Sequence, residues 1–166
     1  MRASTEDYKR PNKSTDWIVT SYDGYSSHLI IVDSASRRVW AFLTKSKEPP
    51  IDILRAFLKK FGIGKGVIWT DQGGKLACSN SFCDTMLKEF GYVVESMGAD
   101  GPSQNGGAES YNQTLAVKVC TLLYGAGLSA RFWSAVLLHA VYLHNQLVHS
   151  ATGKTLYKGW YGCNPM

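Results

Sequence analysis

Two carboxylates stand where hard-metal chemistry could be done. Asp71 closes the apolar, β-branched run Gly66 to Thr70 in VIWTDQGG, and Glu109 follows the polar stretch PSQNGG. An Asp after such a run belongs at the end of a buried strand, and a Glu just behind a Ser-Gln-Asn-Gly-Gly loop belongs in the first turn of a helix. Carboxylates brought together from a strand end and a helix start can share a divalent cation, which favours oxygen ligands and serves phosphoryl-transfer chemistry. The same residue types also make an ordinary turn and a favourable partner for a helix dipole, and spacing alone leaves both readings open.

The elements that must position them follow from hydrophobic periodicity. Residues 1–16 are charged and turn-rich, a flexible lead-in, with one compact domain expected over 17–166. His28 to Val32 and Val39 to Leu43 form a predicted antiparallel hairpin. Pro49 and Pro50 open a helix whose Leu54, Phe57, Leu58 and Phe61 make an apolar stripe, and Gly62 to Gly66 stops it. Strand Val67 to Thr70 comes next, then a helix capped near Ser79 or Asn80 with Phe82, Met86 and Phe90 in phase, then strand Tyr92 to Glu95. The helix bearing Glu109 buries Leu115, Val119, Leu122 and Leu123, which turns Glu109 about a quarter turn from the buried face. Gly106 and Gly107 leave the loop before it free to flex. A last helix, about 130–148, is apolar on most sides through Phe132, Trp133, Val136, Leu137, Ala140, Val141 and Leu147, and is core or interface. Helices alternating with strands after a hairpin describe an α/β fold.

Composition narrows the function classes. A chain of 166 residues, 45% apolar, can bury a core, and no run of about 18 apolar residues could span a bilayer. No signal-peptide pattern is present at the start. A net charge of +5 permits a polyanionic partner. Cys78, Cys83, Cys120 and Cys163 contain no CxxC pair and read as free thiols. His139, His144 and His149 are spaced by five, about 140° around a helix, so they do not converge on a zinc ion.

Longer words in the chain carry a family signature. DGYSSHLIIVDSASRRVWAFLTKSK, VIWTDQGGKLACSNSF, ADGPSQNGGAESYNQTL, GLSARFWSAVLLHAVYLHNQLVHSATGKT and GWYGCNP resemble, in order and spacing, the integrase catalytic core of copia-type LTR retrotransposon polyproteins. The likeness runs from about Ile18 to Pro165. It implies an α/β, ribonuclease H-like mixed sheet flanked by helices, similar to that of retroviral integrases. The implied activity is DNA integration, by end processing and strand transfer on retroelement ends and target DNA. It also implies Mg2+ or Mn2+ as cofactor, action in the nucleus, no membrane, and a possible homo-oligomer.

Residue by residue, Asp71 matches the second metal-binding Asp of that family and Glu109 its Glu. The family's first Asp, on the first and central strand, has no match: Asp7, Asp16, Asp23 and Asp33 lack the strand context, and Asp33 in VDSASR reads as a turn residue serving backbone N–H groups. The expectation is therefore a core incomplete at its N-terminus, lacking its central strand, with segment Asp16 to Tyr22 as a candidate to fill the gap. Trp69 stands where the family has Arg, and Lys75 where it has Glu. Impaired catalysis follows as an expectation, with a catalytically inactive nucleic-acid-binding remnant as the alternative. Lys75, Asn105, Gly106, Asn112 and Gln113 are the residues expected against nucleic acid.

Overall fold

The computed structural model describes residues 19–46, 48, 50–62, 65–70, 79–96, 102–148, 150 and 153–164, with backbone alone at 96 and 102–109. The elements run β1 (Ser27–Val32), β2 (Val39–Thr44), α1 (Ile51–Phe61), β3 (Gly66–Thr70), α2 (Asn80–Phe90), β4 (Tyr92–Ser96), α3 (Pro102–Gly125), a 3-10 turn (Ala130–Phe132), α4 (Trp133–Asn145) and α5 (Leu156–Tyr161).

The expected hairpin forms, antiparallel, with Val32 opposite Val39. Its turn is held by Asp33, whose Oδ2 accepts from the Ser36 amide at 2.6 Å and the Ser36 hydroxyl at 2.7 Å. Arg37 takes the left-handed conformation (φ 61°) that closes it. Asp33 is thus occupied by its own turn, as its sequence context indicates.

Period-two alternation sends the hairpin's residues to opposite layers. Ile30, Val32, Val39, Ala41 and Leu43 pack against Leu115, Val119 and Leu123 of α3 and Trp133, Leu137 and Ala140 of α4. Leu29 and Ile31 face the other way, onto Leu54 and Leu58 of α1 and Phe82 and Met86 of α2. Both faces of the hairpin are therefore covered by helices.

The second sheet is parallel, β3 with β4, register Gly66 to Tyr92 and Thr70 to Ser96. Ser79 caps α2 by accepting from the Phe82 amide at 3.3 Å, and Gly91, at φ 70°, ends it and releases the chain into β4. A β-carbon at Gly66 would sit 2.7 Å from the Tyr92 ring, so a larger residue at this strand start would have to displace that side chain. Arg55 of α1 donates to both carboxylate oxygens of Glu89 at 2.8 Å, tying α1 to α2 across the surface.

Among the described residues no strand joins the two sheets, although Ile68 and Val94 share a core with Leu29 and Ile31. Residues 19–22 of the segment considered as a substitute are not a strand. Their backbone groups are engaged at the start of α4 instead: the Trp133 indole donates to the Val19 carbonyl at 2.9 Å, and the Tyr22 amide donates to the Arg131 carbonyl at 2.8 Å.

Two helix boundaries differ from the sequence reading. The last long helix is split, a 3-10 turn capped by Ser129 and then α4, which stops at Asn145. It stops because Leu147 turns its carbonyl to the Leu156 amide (3.2 Å) and Val148 bridges to Thr155. The other difference, at α3, bears on the functional site. No helix among the described residues is long and apolar enough to cross a membrane.

Candidate metal and nucleic-acid site

Parallel strands deliver their C-terminal ends to one edge, and open α/β sheets place ligands at that edge. Thr70, the last residue of β3, is buried and lies opposite Ser96, the last residue of β4. Asp71 is the next residue in sequence and lies outside the described residues, as does Lys75. From Ser96, six residue steps lead to Pro102, a path of at most about 20 Å. Glu109 is two helical turns further along α3, a rise of about 10 Å. β3 and β4 therefore end side by side at one edge of their sheet, and in sequence a short connection leads from that edge to α3, the helix whose backbone includes Glu109.

The start of α3 corrects the sequence expectation. PSQNGG was read as a loop ahead of Glu109, but the helix already begins at Pro102, so Asn105, Gly106 and Gly107 are helical in backbone and Glu109 lies beyond the first turn. Proline at the first helical position supplies the φ angle, and propagation back from the strongly packed Leu115–Leu123 segment carries the helix across the two glycines despite their cost of about 1 kcal/mol each. Asn112 is half-buried with its Oδ1 lacking a hydrogen-bond partner, and Gln113 is exposed.

Other acidic groups are accounted for where they are described. Asp23 Oδ1 accepts from the Ser21 hydroxyl at 2.5 Å and the Ser134 hydroxyl at 2.9 Å, and these bonds, that from Ser21 first, hold its carboxyl below the usual range. Asp7 and Asp16 lie outside the described residues. Among the described residues no group of three His, Cys, Asp or Glu could hold a metal ion. Of the histidines, His139 is exposed and stacks on Tyr142, His144 is half-buried, and His149 lies outside the described residues. Cys83, Cys120 and Cys163 are free thiols.

Three features carried no sequence signal. On β3–β4, Ile68 and Val94 face the core while Val67, Trp69 and Val93 are each about half exposed, so the face bearing Trp69 is open. Between α3 and α4, Lys118 Nζ lies 2.8 Å from His144 Nδ1. Burial and then the Lys118 charge push the His144 pKa down to about 4, and burial also lowers that of Lys118. Asn145 binds the backbone of β2 from inside the core.

Comparisons with known proteins join these observations to a family likeness. No protein-family model matches the chain. The chain is 28% identical over 132 residues to a retrovirus-related Pol polyprotein from transposon TNT 1-94 of Nicotiana tabacum, a match covering 77% of this chain and 10% of that polyprotein. The chain therefore spans about a tenth of the curated relative. In fold it is similar to a chain of the simian T-cell lymphotropic virus intasome solved with the PP2A regulatory subunit B56 gamma (TM-score 0.66, 20% identity, 86% of this chain and 51% of that one). It is also similar to the HTLV-2 integrase catalytic core domain solved with magnesium in a trimeric form (TM-score 0.62, 19% identity, 85% of this chain and 89% of that one). The chain is thus similar in sequence to a retrotransposon Pol polyprotein and shares the fold of retroviral integrase catalytic cores.

Proposed function

We propose that the chain serves DNA integration as a polynucleotidyl-transferase core acting on retroelement ends and target DNA. In this reading Asp71 and Glu109 furnish two carboxylates of a metal site. The observation that supports it best is topological: β3 and β4 end side by side, Asp71 follows β3, and a short connection from β4 leads into the helix that bears Glu109.

The donor chemistry fits magnesium, with manganese as a second choice, because two carboxylates are hard oxygen ligands and no described cysteine or histidine cluster competes for a softer ion. The HTLV-2 integrase core, of similar fold, was solved with magnesium. When bound, the ions supply activation of the attacking oxygen and charge stabilisation of the leaving oxygen at a phosphodiester. The chain's own part is to hold one carboxylate just after the end of β3 and the other on α3, with Lys75, Asn105, Gly106, Asn112 and Gln113 along the path of the nucleic acid. A homo-oligomer fits the trimeric form of that relative.

A second reading is a nucleic-acid-binding domain without catalysis. It is favoured by the open, half-exposed Trp69 beside Asp71 and by the want of any residue matching the family's first Asp. Titration of a labelled DNA duplex at several salt concentrations, with and without magnesium, tests both. Binding that weakens as salt rises is expected, since phosphate neutralisation releases counterions. In the integration reading magnesium strengthens binding and Asp71→Asn or Glu109→Gln removes that increment. In the second reading the increment is missing. Binding absent at low salt, or indifferent to salt, rejects DNA as the partner.

A further inference from the structure

An aromatic cluster joins three elements that carry no residue of the candidate metal site. Trp40 of β2 meets Phe57 of α1 with ring centres 5.1 Å apart and Trp160 of α5 at 4.9 Å, both edge-on, and Phe61 lies 5.9 Å from Trp40. Tyr157 and Tyr161 continue the cluster along α5, their ring centres 4.6 Å apart. Packing covers these rings only in part: Tyr161 is 45% exposed, and Trp40, Phe61, Tyr157 and Trp160 are half-buried.

Cations border the rings. The Arg38 guanidinium lies over Tyr161 and Trp40, and Lys60 Nζ stands 5.2 Å from the centre of Phe61. Arg37 is exposed on the hairpin turn, and that turn rests against α5, since a β-carbon at Gly159 would sit 3.6 Å from that of Ser36. Lys158 is on α5 itself. Ion pairs among the described residues engage Arg55 and Lys88 and none of these four cations. Asp33, the acidic residue of the same turn, is bound to Ser36.

We propose that this face binds single-stranded nucleic acid, with Arg37 and Lys60 on backbone phosphates and Tyr161 stacked on an unpaired base. Charge selects a polyanion, because cations that no carboxylate neutralises gain most from phosphate. The rings then select among polyanions. Unpaired bases offer π-faces that stack on aromatic side chains, whereas a duplex keeps those faces within its own stack and an acidic peptide has none. Arg38 acts through its field, since its Nε and Nη1 are buried. The proposal is independent of the integration reading: it needs no metal and neither Asp71 nor Glu109.

The test titrates the full chain with a labelled oligothymidylate of about 12 nucleotides, without added metal, and follows anisotropy together with the NMR signals of the indole rings. Binding should saturate, weaken as salt rises, and shift the Trp40 and Trp160 signals while leaving that of the buried Trp133 in place. Tyr161→Ala should weaken it about fivefold or more, the loss of one stacked base. Arg37→Asn, which suits the left-handed backbone there, and Lys60→Gln should each weaken it and lower the salt slope by about 0.7. Arg131→Gln, at an exposed cation of the 3-10 turn, should leave it unchanged. All three patch variants should keep the magnesium-dependent increment of duplex binding, so this reading and the integration reading fail separately. Should Tyr161→Ala not fold, the two exposed cations and the indole shifts decide. Absence of binding at low salt, undiminished binding by a folded chain carrying both Arg37→Asn and Lys60→Gln, or Trp160 shifts as large with a duplex or with polyglutamate overturns the proposal; the rings would then serve only to hold α5 to the hairpin.

Discussion

Asn145 and Val39 close a ring of two hydrogen bonds in the core: the Val39 amide donates to Asn145 Oδ1 at 3.0 Å, and Asn145 Nδ2 donates to the Val39 carbonyl at 2.8 Å. A side-chain amide from α4 thereby does for the first residue of β2 what a neighbouring strand would do. Both residues are buried, so both backbone groups would be orphaned without it. Asn145→Ala should lower unfolding free energy by about 2–4 kcal/mol, one desolvated group at each end of the lost amide. Urea denaturation should show a reduced midpoint with the slope unchanged. A loss under about 1 kcal/mol would mean that water replaces the amide.

This bond also marks where the sequence stops being legible. The hairpin, α1, β3, α2 and β4 could be read from alternation, from the spacing of Leu54, Leu58, Phe82 and Met86, and from Ser79 and Gly91 as caps, because local rules decide them. Asn145 and His144 are polar positions on an apolar helix, and their roles depend on Val39 and Lys118, far away in sequence. The start of α3 was misread because Gly106–Gly107 is a loop signal locally, and only packing further along the helix overrides it. Of the candidate site, the strand end before Asp71 and the helix carrying Glu109 were legible from their flanking apolar runs. The open face around Trp69 was not, since alternation alone does not say which face finds a cover.

Arg38 offers a second test of stability. Its guanidinium carbon lies 4.4 Å from the Tyr161 ring centre, 5.0 Å from that of Tyr157 and 5.2 Å from that of Trp40, and its Nε and Nη1 are buried without hydrogen-bond partners. Three ring faces therefore take the place of a carboxylate and hold α5 to the hairpin. Arg38→Met keeps the apolar stem and removes the charge, and should cost about 1–2 kcal/mol, with faster amide exchange over Leu156–Tyr161. A more stable Arg38→Met protein would show instead that the two unpaired N–H groups outweigh the rings.

Protonation of His144 should destabilise the fold in acid. Its folded pKa, about 4, lies below the ordinary 6.5, so between those values the unfolded chain binds more protons than the folded one. Stability is therefore complete above about pH 6.5 and declines as pH falls towards 4, by roughly 1–2 kcal/mol once screening at a half-buried site is allowed for. Thermal melts from pH 7.5 to 4 should show the decline, and His144→Phe should flatten that part of the profile. An unchanged profile in the variant would place the acid sensitivity in another group.

Catalysis depends on a carboxylate that the 166 residues do not match to the family's first Asp. Two-metal chemistry needs ligands that flank both ions, and loss of one disrupts the arrangement rather than merely weakening it. The chain as it stands should therefore give no strand transfer or end processing above background with magnesium or manganese. Joining a strand bearing Asp ahead of residue 17, together with Lys75→Glu, should recover measurable transfer, because it would supply the third carboxylate and remove a positive charge four residues beyond Asp71. Glu109→Gln in that restored protein should abolish the gain, and in the starting chain should change nothing. The assay compares these four proteins on a labelled retroelement-end duplex. Robust transfer by the unmodified chain would show that a carboxylate already present completes the site. Of those described, Asp23 would then have to leave Ser21 and Ser134, and Asp33 its turn at Ser36, so Asp23→Asn and Asp33→Asn would separate the two.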